Sequence, residues 1–242
     1  AHISERLKVL RDVGVELCFP FVADTAEHYF HSDVLGAPRR DLLGPFMEAA
    51  RALEMTVHPV IGFGRPTNDP VGRYEPPLDK AAVPEELLSW ACASWGENHE
   101  RTVLLANELI ERYTPQGLHL DSSRYPDAEV LAHSPCACVR CREVRLKWLG
   151  KPVPEPYDLA NPGIVYKELQ MRVEFVRSYV ESMRGLTDYH DIALSAAVRP
   201  NYYEDALPEG QDWAEWCADG LIDICCPMSR TTSFGTFAQW MA

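Results

Sequence analysis

The chain lacks any apolar run of about 18 residues, so no membrane-spanning helix is expected. Positive charge is scarce: 23 Lys and Arg stand against 36 Asp and Glu, for a formal net charge of -13. With no basic stripe to offset it, that field repels phosphate backbones and speaks against nucleic acid as a partner. It suits a neutral or cationic small ligand. No internal repeat or low-complexity tract occurs, and Ala1 to Arg6 enter a helical pattern directly, with no secretory signal. The eight cysteines do not read as a disulfide framework. Cys18, Cys217, Cys225 and Cys226 lie in apolar stretches, where a cysteine reads as a small buried hydrophobe.

What remains is a 242-residue chain that is 46% apolar, enough for one barrel-sized domain. Its organising stretch is Gly117-Leu118-His119-Leu120-Asp121-Ser122-Ser123-Arg124-Tyr125-Pro126. A helical pattern from Arg101 to Tyr113 runs into the breaker Thr114-Pro115-Gln116-Gly117, and a short apolar run then stops on a carboxylate. Upstream, residues 15–22 and 56–63 read as strands, joined through a helix that Asp41 caps and that carries Leu42, Leu43, Phe46, Met47, Ala50 and Leu53 on one face. Leu87 to Ala93 reads as a further helix. Val165, Leu169, Val173, Val176, Val180 and Met183 mark the most regular helix, and 192–198 and 221–228 read as later strands. Strands alternating with helices predict a parallel sheet of the (β/α)8 TIM-barrel type, a single domain over 1–242 with an inserted cysteine-containing loop at 127–160. Five strands do not close an eight-stranded barrel, so the expectation is a partial one.

In such barrels the chemistry sits at the carboxyl ends of the strands. Asp121 occupies that position, with Arg124, Tyr125, His58 and Arg199 read at or beside strand ends and Asp24 just beyond the first strand. A strand-end carboxylate can serve as nucleophile or acid/base at a glycosidic bond, where a pair of Asp/Glu residues acts. Its bland alternative is a salt bridge from Asp121 to Arg124. The loop Arg199-Pro200-Asn201-Tyr202-Tyr203-Glu204-Asp205 offers an aromatic sugar platform and, in Glu204, a second catalytic carboxylate. Arg124 and Tyr125 would orient Asp121, and His58 and Arg199 would contact sugar hydroxyls. Cys136, Cys138 and Cys141 are spaced to converge on one tetrahedral ion, a structural zinc site, with Cys92 or His133 as fourth ligand. No organic cofactor is called for.

The segment 117–126 resembles the Gly-x-His-x-Asp-x-x-Arg-Tyr-Pro signature of bacterial hypothetical glycoside hydrolases with a (β/α)8 barrel, the glycosyl hydrolase-like 10 group. Asp212-Trp213, Trp216, Gly220-Leu221-Ile222-Asp223 and Pro227-Met228 are similar to a second pattern of that group, with Ser229 and Arg230 standing where it usually has a tyrosine. Cys136-x-Cys138-x-x-Cys141 with Trp148-Leu149 resembles the zinc loop of certain barrel β-galactosidases, in which an upstream cysteine completes the site; this implies Cys92. The resemblance implies that the chain covers the second to sixth barrel strands and hydrolyses a glycosidic bond in a carbohydrate substrate. The alternative is a non-catalytic carbohydrate-binding barrel, and a third class is a metal-stabilised structural domain.

Overall fold

The computed structural model describes residues 2–22, 28–38, 40–62, 64, 70–75, 88–126, 135–152 and 160–229. Among them the helices are α1 (His2–Asp12), α2 (Leu43–Ala52), α3 (Gly96–Tyr113), α4 (Val139–Leu149), α5 (Pro162–Tyr189) and α6 (Trp213–Ala218). The strands are β1 (Leu17–Cys18), β2 (Thr56–Val57), β3 (Val60–Ile61), β4 (Gly117–Leu120), β5 (Ala193–Val198) and β6 (Ile224–Pro227). Every strand pair is parallel, β1 with β2 and then β3-β4-β5-β6 in chain order. A parallel bridge from Phe21 to Val60 joins the two groups.

The stretch read as one strand at 56–63 is divided by His58-Pro59, because proline has no amide to give to a ladder. Its backbone keeps pace on both sides nonetheless. The His58 amide donates to Cys18 O at 3.0 Å, and His119 donates to Pro59 O at 3.0 Å. β4 is buried at all four residues, as a strand covered on both faces must be. Gly117 opens it for a steric reason: a Cβ there would lie 2.4 Å from His58 Nε2 and 2.7 Å from Ala193 O.

Asp41 does cap α2, accepting the Gly44 amide at 3.0 Å. α5 starts on Asn161, which accepts the Gly163 amide at 2.9 Å, with Pro162 in the first turn where its missing N–H costs nothing. The expected apolar stripe holds only in the carboxyl half of α5, where Val176, Val180 and Met183 are buried. In its first half the buried positions are Glu168, Met171 and Arg172, while Val165, Leu169 and Val173 are half-buried. The charged pair is inside because Arg145 of α4 meets Glu168 there, Nη2 to Oε2 at 3.0 Å, and Arg172 follows at 3.6 Å.

The helix expected over 87–93 reaches Leu88 but is not formed at 90–93. Instead Cys92 donates to Gly72 O at 3.0 Å and Tyr74 to Trp90 O at 2.8 Å, with an antiparallel bridge between Arg73 and Ala91. Trp90, Ala91, Cys92 and Ala93 are all buried, which leaves no solvent face for a surface helix. Of the cysteines read as buried hydrophobes, Cys18, Cys225 and Cys226 are half-buried and Cys217 is exposed.

Two apolar clusters fill the described molecule. One lies under α1 and α2 (Leu7, Leu43, Met47, Ala50, Val57, Leu109). The larger runs from the cysteine loop through β4 and β5 to Trp216. Side chains such as Leu118, Leu120 and Leu194 each contribute roughly 1.5–3 kcal/mol by leaving water.

Candidate functional site

Asp121 follows β4 directly, its amide donating to Ile61 O at 3.0 Å. The next residue, Ser122, takes a left-handed backbone (φ 52), a costly choice for a residue with a side chain. Its amide donates to Asp121 Oδ1 at 2.6 Å and its carbonyl accepts from Gly64 at 3.1 Å. Gly62 allows this close crossing, since a Cβ there would sit 1.6 Å from Asp121 O. Asp121 is half-buried, and among the described residues its carboxylate enters no ion pair.

The salt bridge from Asp121 to Arg124 therefore does not form. Arg124 instead pairs with Glu209 at 2.9 Å, and Arg199, which leaves β5, meets the same carboxylate oxygen at 2.9 Å. Glu209 is only 1% exposed. Around it, Gln211 accepts the Arg199 amide at 3.0 Å, Trp213 donates to Arg199 O at 3.0 Å, and the Arg124 guanidinium lies 5.0 Å over the Trp90 ring. The main chain closes the frame, with the Tyr125 amide donating to Glu209 O at 2.8 Å. Arg124 and Arg199 are thus brought together, by residues the sequence reading missed: Glu209, Gln211 and Trp90. Pro208-Glu209-Gly210 reads as an ordinary surface turn. The available signal was the two arginines at adjacent strand ends, which needed a carboxylate between them.

Glu204 lies in a short π-turn, Tyr202–Ala206. It is exposed, and its carboxylate accepts from Asn201 Nδ2 at 2.7 Å. Tyr202 turns inward instead. Its hydroxyl donates to Asp212 at 2.5 Å, and its ring stands edge-on to Tyr203 and Trp213, each 5.2 Å away. Burial, then the Asp212 contact, pushes the Tyr202 phenol well up. Asp24 and His133 lie outside the described residues.

His58 directly follows β2, beside a strand end as read, but it does not join Asp121. It sits beside Gly117, at the opposite end of β4 from Asp121, because the break at Pro59 lies before β3. There His58 Nδ1 and His119 Nδ1 each stand 2.9 Å from Ser195 Oγ. Ser195 gives its own proton to Leu118 O at 2.9 Å, so both rings must donate, as neutral Nδ1–H tautomers. Burial lowers both imidazoles, taking His119 down to about 4. The Phe19 ring packs 4.1 Å from that of His119.

The fourth arrangement is the cysteine cluster. Cys92 Sγ lies 3.6 Å from Cys136 and Cys141 and 3.7 Å from Cys138, and all four sulfurs are within 4.8 Å of one another. A disulfide needs about 2.0 Å. Thiolates at about 2.3 Å from a tetrahedral zinc stand about 3.8 Å apart, so the donor set fits such an ion. Cys92 thus occupies the fourth corner. Burial pushes the Cys92 and Cys136 thiols up, while hydrogen bonds from neighbouring thiols hold Cys138 and Cys141 down.

The parallel α/β arrangement resembles that of two solved structures in particular. The glycoside hydrolase domain of PgaB (BpsB) from Bordetella bronchiseptica superposes with a TM-score of 0.76 at 12% identity, over 99% of this chain and 72% of that one. An alpha-L-fucosidase isoenzyme 2 from Paenibacillus thiaminolyticus gives 0.54 at 15% identity, over 83% of this chain and 30% of that one. At these identities the likeness is one of fold. No protein-family model matches the chain, and no curated protein sequence does.

Proposed function

We propose that the chain is the core of a carbohydrate-active (β/α) barrel, spanning its second to sixth strands as one domain, and that Asp121 is its acting carboxylate in glycosidic-bond hydrolysis. The observation that carries this is the division of labour at the strand ends. Both arginines pair with buried Glu209, while Asp121 stays half-buried beside a left-handed Ser122 and, among the described residues, outside any ion pair. A carboxylate so placed can attack an anomeric carbon or stabilise the positive charge that develops there, while a second carboxyl group protonates the leaving oxygen. The fold-level likeness to a glycoside hydrolase domain and the 117–126 motif support the same reading.

Glu204 is the proposed partner acid. Its exposed setting supplies none of the burial that raises an acid's pKa, so a bound sugar would have to provide it. Arg124 and Arg199 act through Glu209 as a rigid frame beside Asp121, with the Tyr125 main chain tied to it. His58 supports the strands from below. The cysteine cluster is proposed as a closed structural zinc site, which leaves no open position for chemistry.

The test uses a panel of oligosaccharides and aryl glycosides. Asp121→Asn keeps the shape and removes the charge, so turnover should fall by orders of magnitude with an unchanged circular dichroism spectrum. Unchanged turnover sinks the catalytic reading, and saturable binding without turnover in the wild type moves the chain to the binding class. Glu204→Gln with full activity removes Glu204 alone. Elemental analysis should find about one zinc per chain, as a single four-coordinate site requires.

A further inference from the structure

The cysteine cluster and the strand-end site touch through one residue. Tyr125 is buried, with its hydroxyl 3.9 Å from both Cys92 Sγ and Cys141 Sγ. Its main chain belongs to the other site: the amide donates to Glu209 O at 2.8 Å, and the carbonyl accepts from Arg124 Nη1 at 3.1 Å. A second buried route ends at the same place. Arg145 donates to Cys136 O and pairs with Glu168, which meets Arg172 at 3.6 Å, and Arg172 donates to Pro208 O at 2.9 Å. The two carbonyls of Pro208-Glu209 are therefore both held by groups that lead back to the cysteine loop.

We propose that Tyr125 is a positioning residue that couples the thiolate cluster to the Arg124–Glu209–Arg199 frame. This rests on the reading of the cluster as a metal site and of the frame as part of the functional face. Metal-bound thiolates carry no proton, so neighbouring N–H or O–H groups supply the hydrogen bonds they accept; the Glu75 amide reaches Cys136 at 3.5 Å. Two hydroxyls reach them. Ser94 Oγ lies 3.1 Å from Cys92, 3.4 Å from Cys141 and 3.5 Å from Cys138. Of the two, Tyr125 also holds the frame through its own main chain.

Three measurements on the metal-loaded protein test this: metal release to a chelator, thiolate-to-cobalt absorption after replacement by cobalt(II), and hydrogen exchange at 121–126 and 207–211. Tyr125→Phe and Ser94→Ala should each speed release by about 10–100-fold, the usual effect of losing an outer-shell partner, and shift the cobalt bands. Only Tyr125→Phe should also raise exchange in the two segments with metal still bound. Stripping metal from the wild type should raise exchange in both more strongly, a measurement that needs no variant to fold. Unaltered release and bands in Tyr125→Phe, or exchange indifferent to metal and variant alike, overturn the coupling while the metal site stands. A cluster that takes up neither zinc nor cobalt overturns both. Neither result bears on turnover at Asp121, which is measured separately.

Discussion

Two polar clusters lie within the same parallel sheet and are satisfied by opposite means. Toward its amino-terminal side, His58, Ser195 and His119 share one hydroxyl and carry no net charge. At the carboxyl end, Arg124 and Arg199 are ionic and share one buried carboxylate. A neutral network needs only good geometry to survive burial, whereas a charged one also needs its counter-charge. The fold thus meets charge with counter-charge where it buries ionic groups, here as in the buried Arg145–Glu168–Arg172 group, and leaves the histidine network neutral.

Removing the counter-charge should have the largest effect. Glu209→Ala removes the buried carboxylate that Arg124 and Arg199 share, and the unfolding free energy from urea titration should drop by about 3–5 kcal/mol. A loss under about 1 kcal/mol would mean that water already screens the pair, and the contrast would collapse. Acid should strike the neutral cluster next. Unfolded imidazole titrates near 6.5, while burial holds folded His119 near 4. Between those values the unfolded chain binds more protons, so stability is complete above pH 6.5 and falls as pH drops toward 4. The loss is about 1.4 kcal/mol per pH unit for each such histidine, about 3 kcal/mol in all for His119. His99, also held near 4 by burial, adds a further increment. Urea midpoints flat across that range would show that the rings are protonated in the fold. The smallest effect belongs to Ser195→Ala, which removes the hydroxyl that both ring donors share at a cost of about 1–3 kcal/mol, read from the same titrations.

Much of this contrast was legible in the sequence wherever the signal was local. Parallel strands alternating with helices, the α2 cap at Asp41 and the thiolate spacing are patterns within a few residues, and all appear as read. The carboxylate between the arginines was not legible, because Arg124, Arg199 and Glu209 come from three segments and only the sheet brings them together. His58 does stand beside the end of β2, but the chain runs on through Pro59 into β3 before it reaches the level of Asp121, which the local sequence does not show. Residues 90–93 looked helical because an all-buried non-helical run and one side of a helix are equally apolar.

The cysteine cluster draws on two segments, Cys92 and Cys136 being 44 positions apart. An ion held there is also a cross-link. It closes a loop that contains α3, β4 and Asp121. In a chain-entropy account, tying off a segment of that length removes about 4 kcal/mol of freedom from the denatured ensemble. The strand that carries Asp121 would then stay tethered even when the rest of the molecule opens. Refolding with the ion bound would begin from a chain whose central loop is already closed.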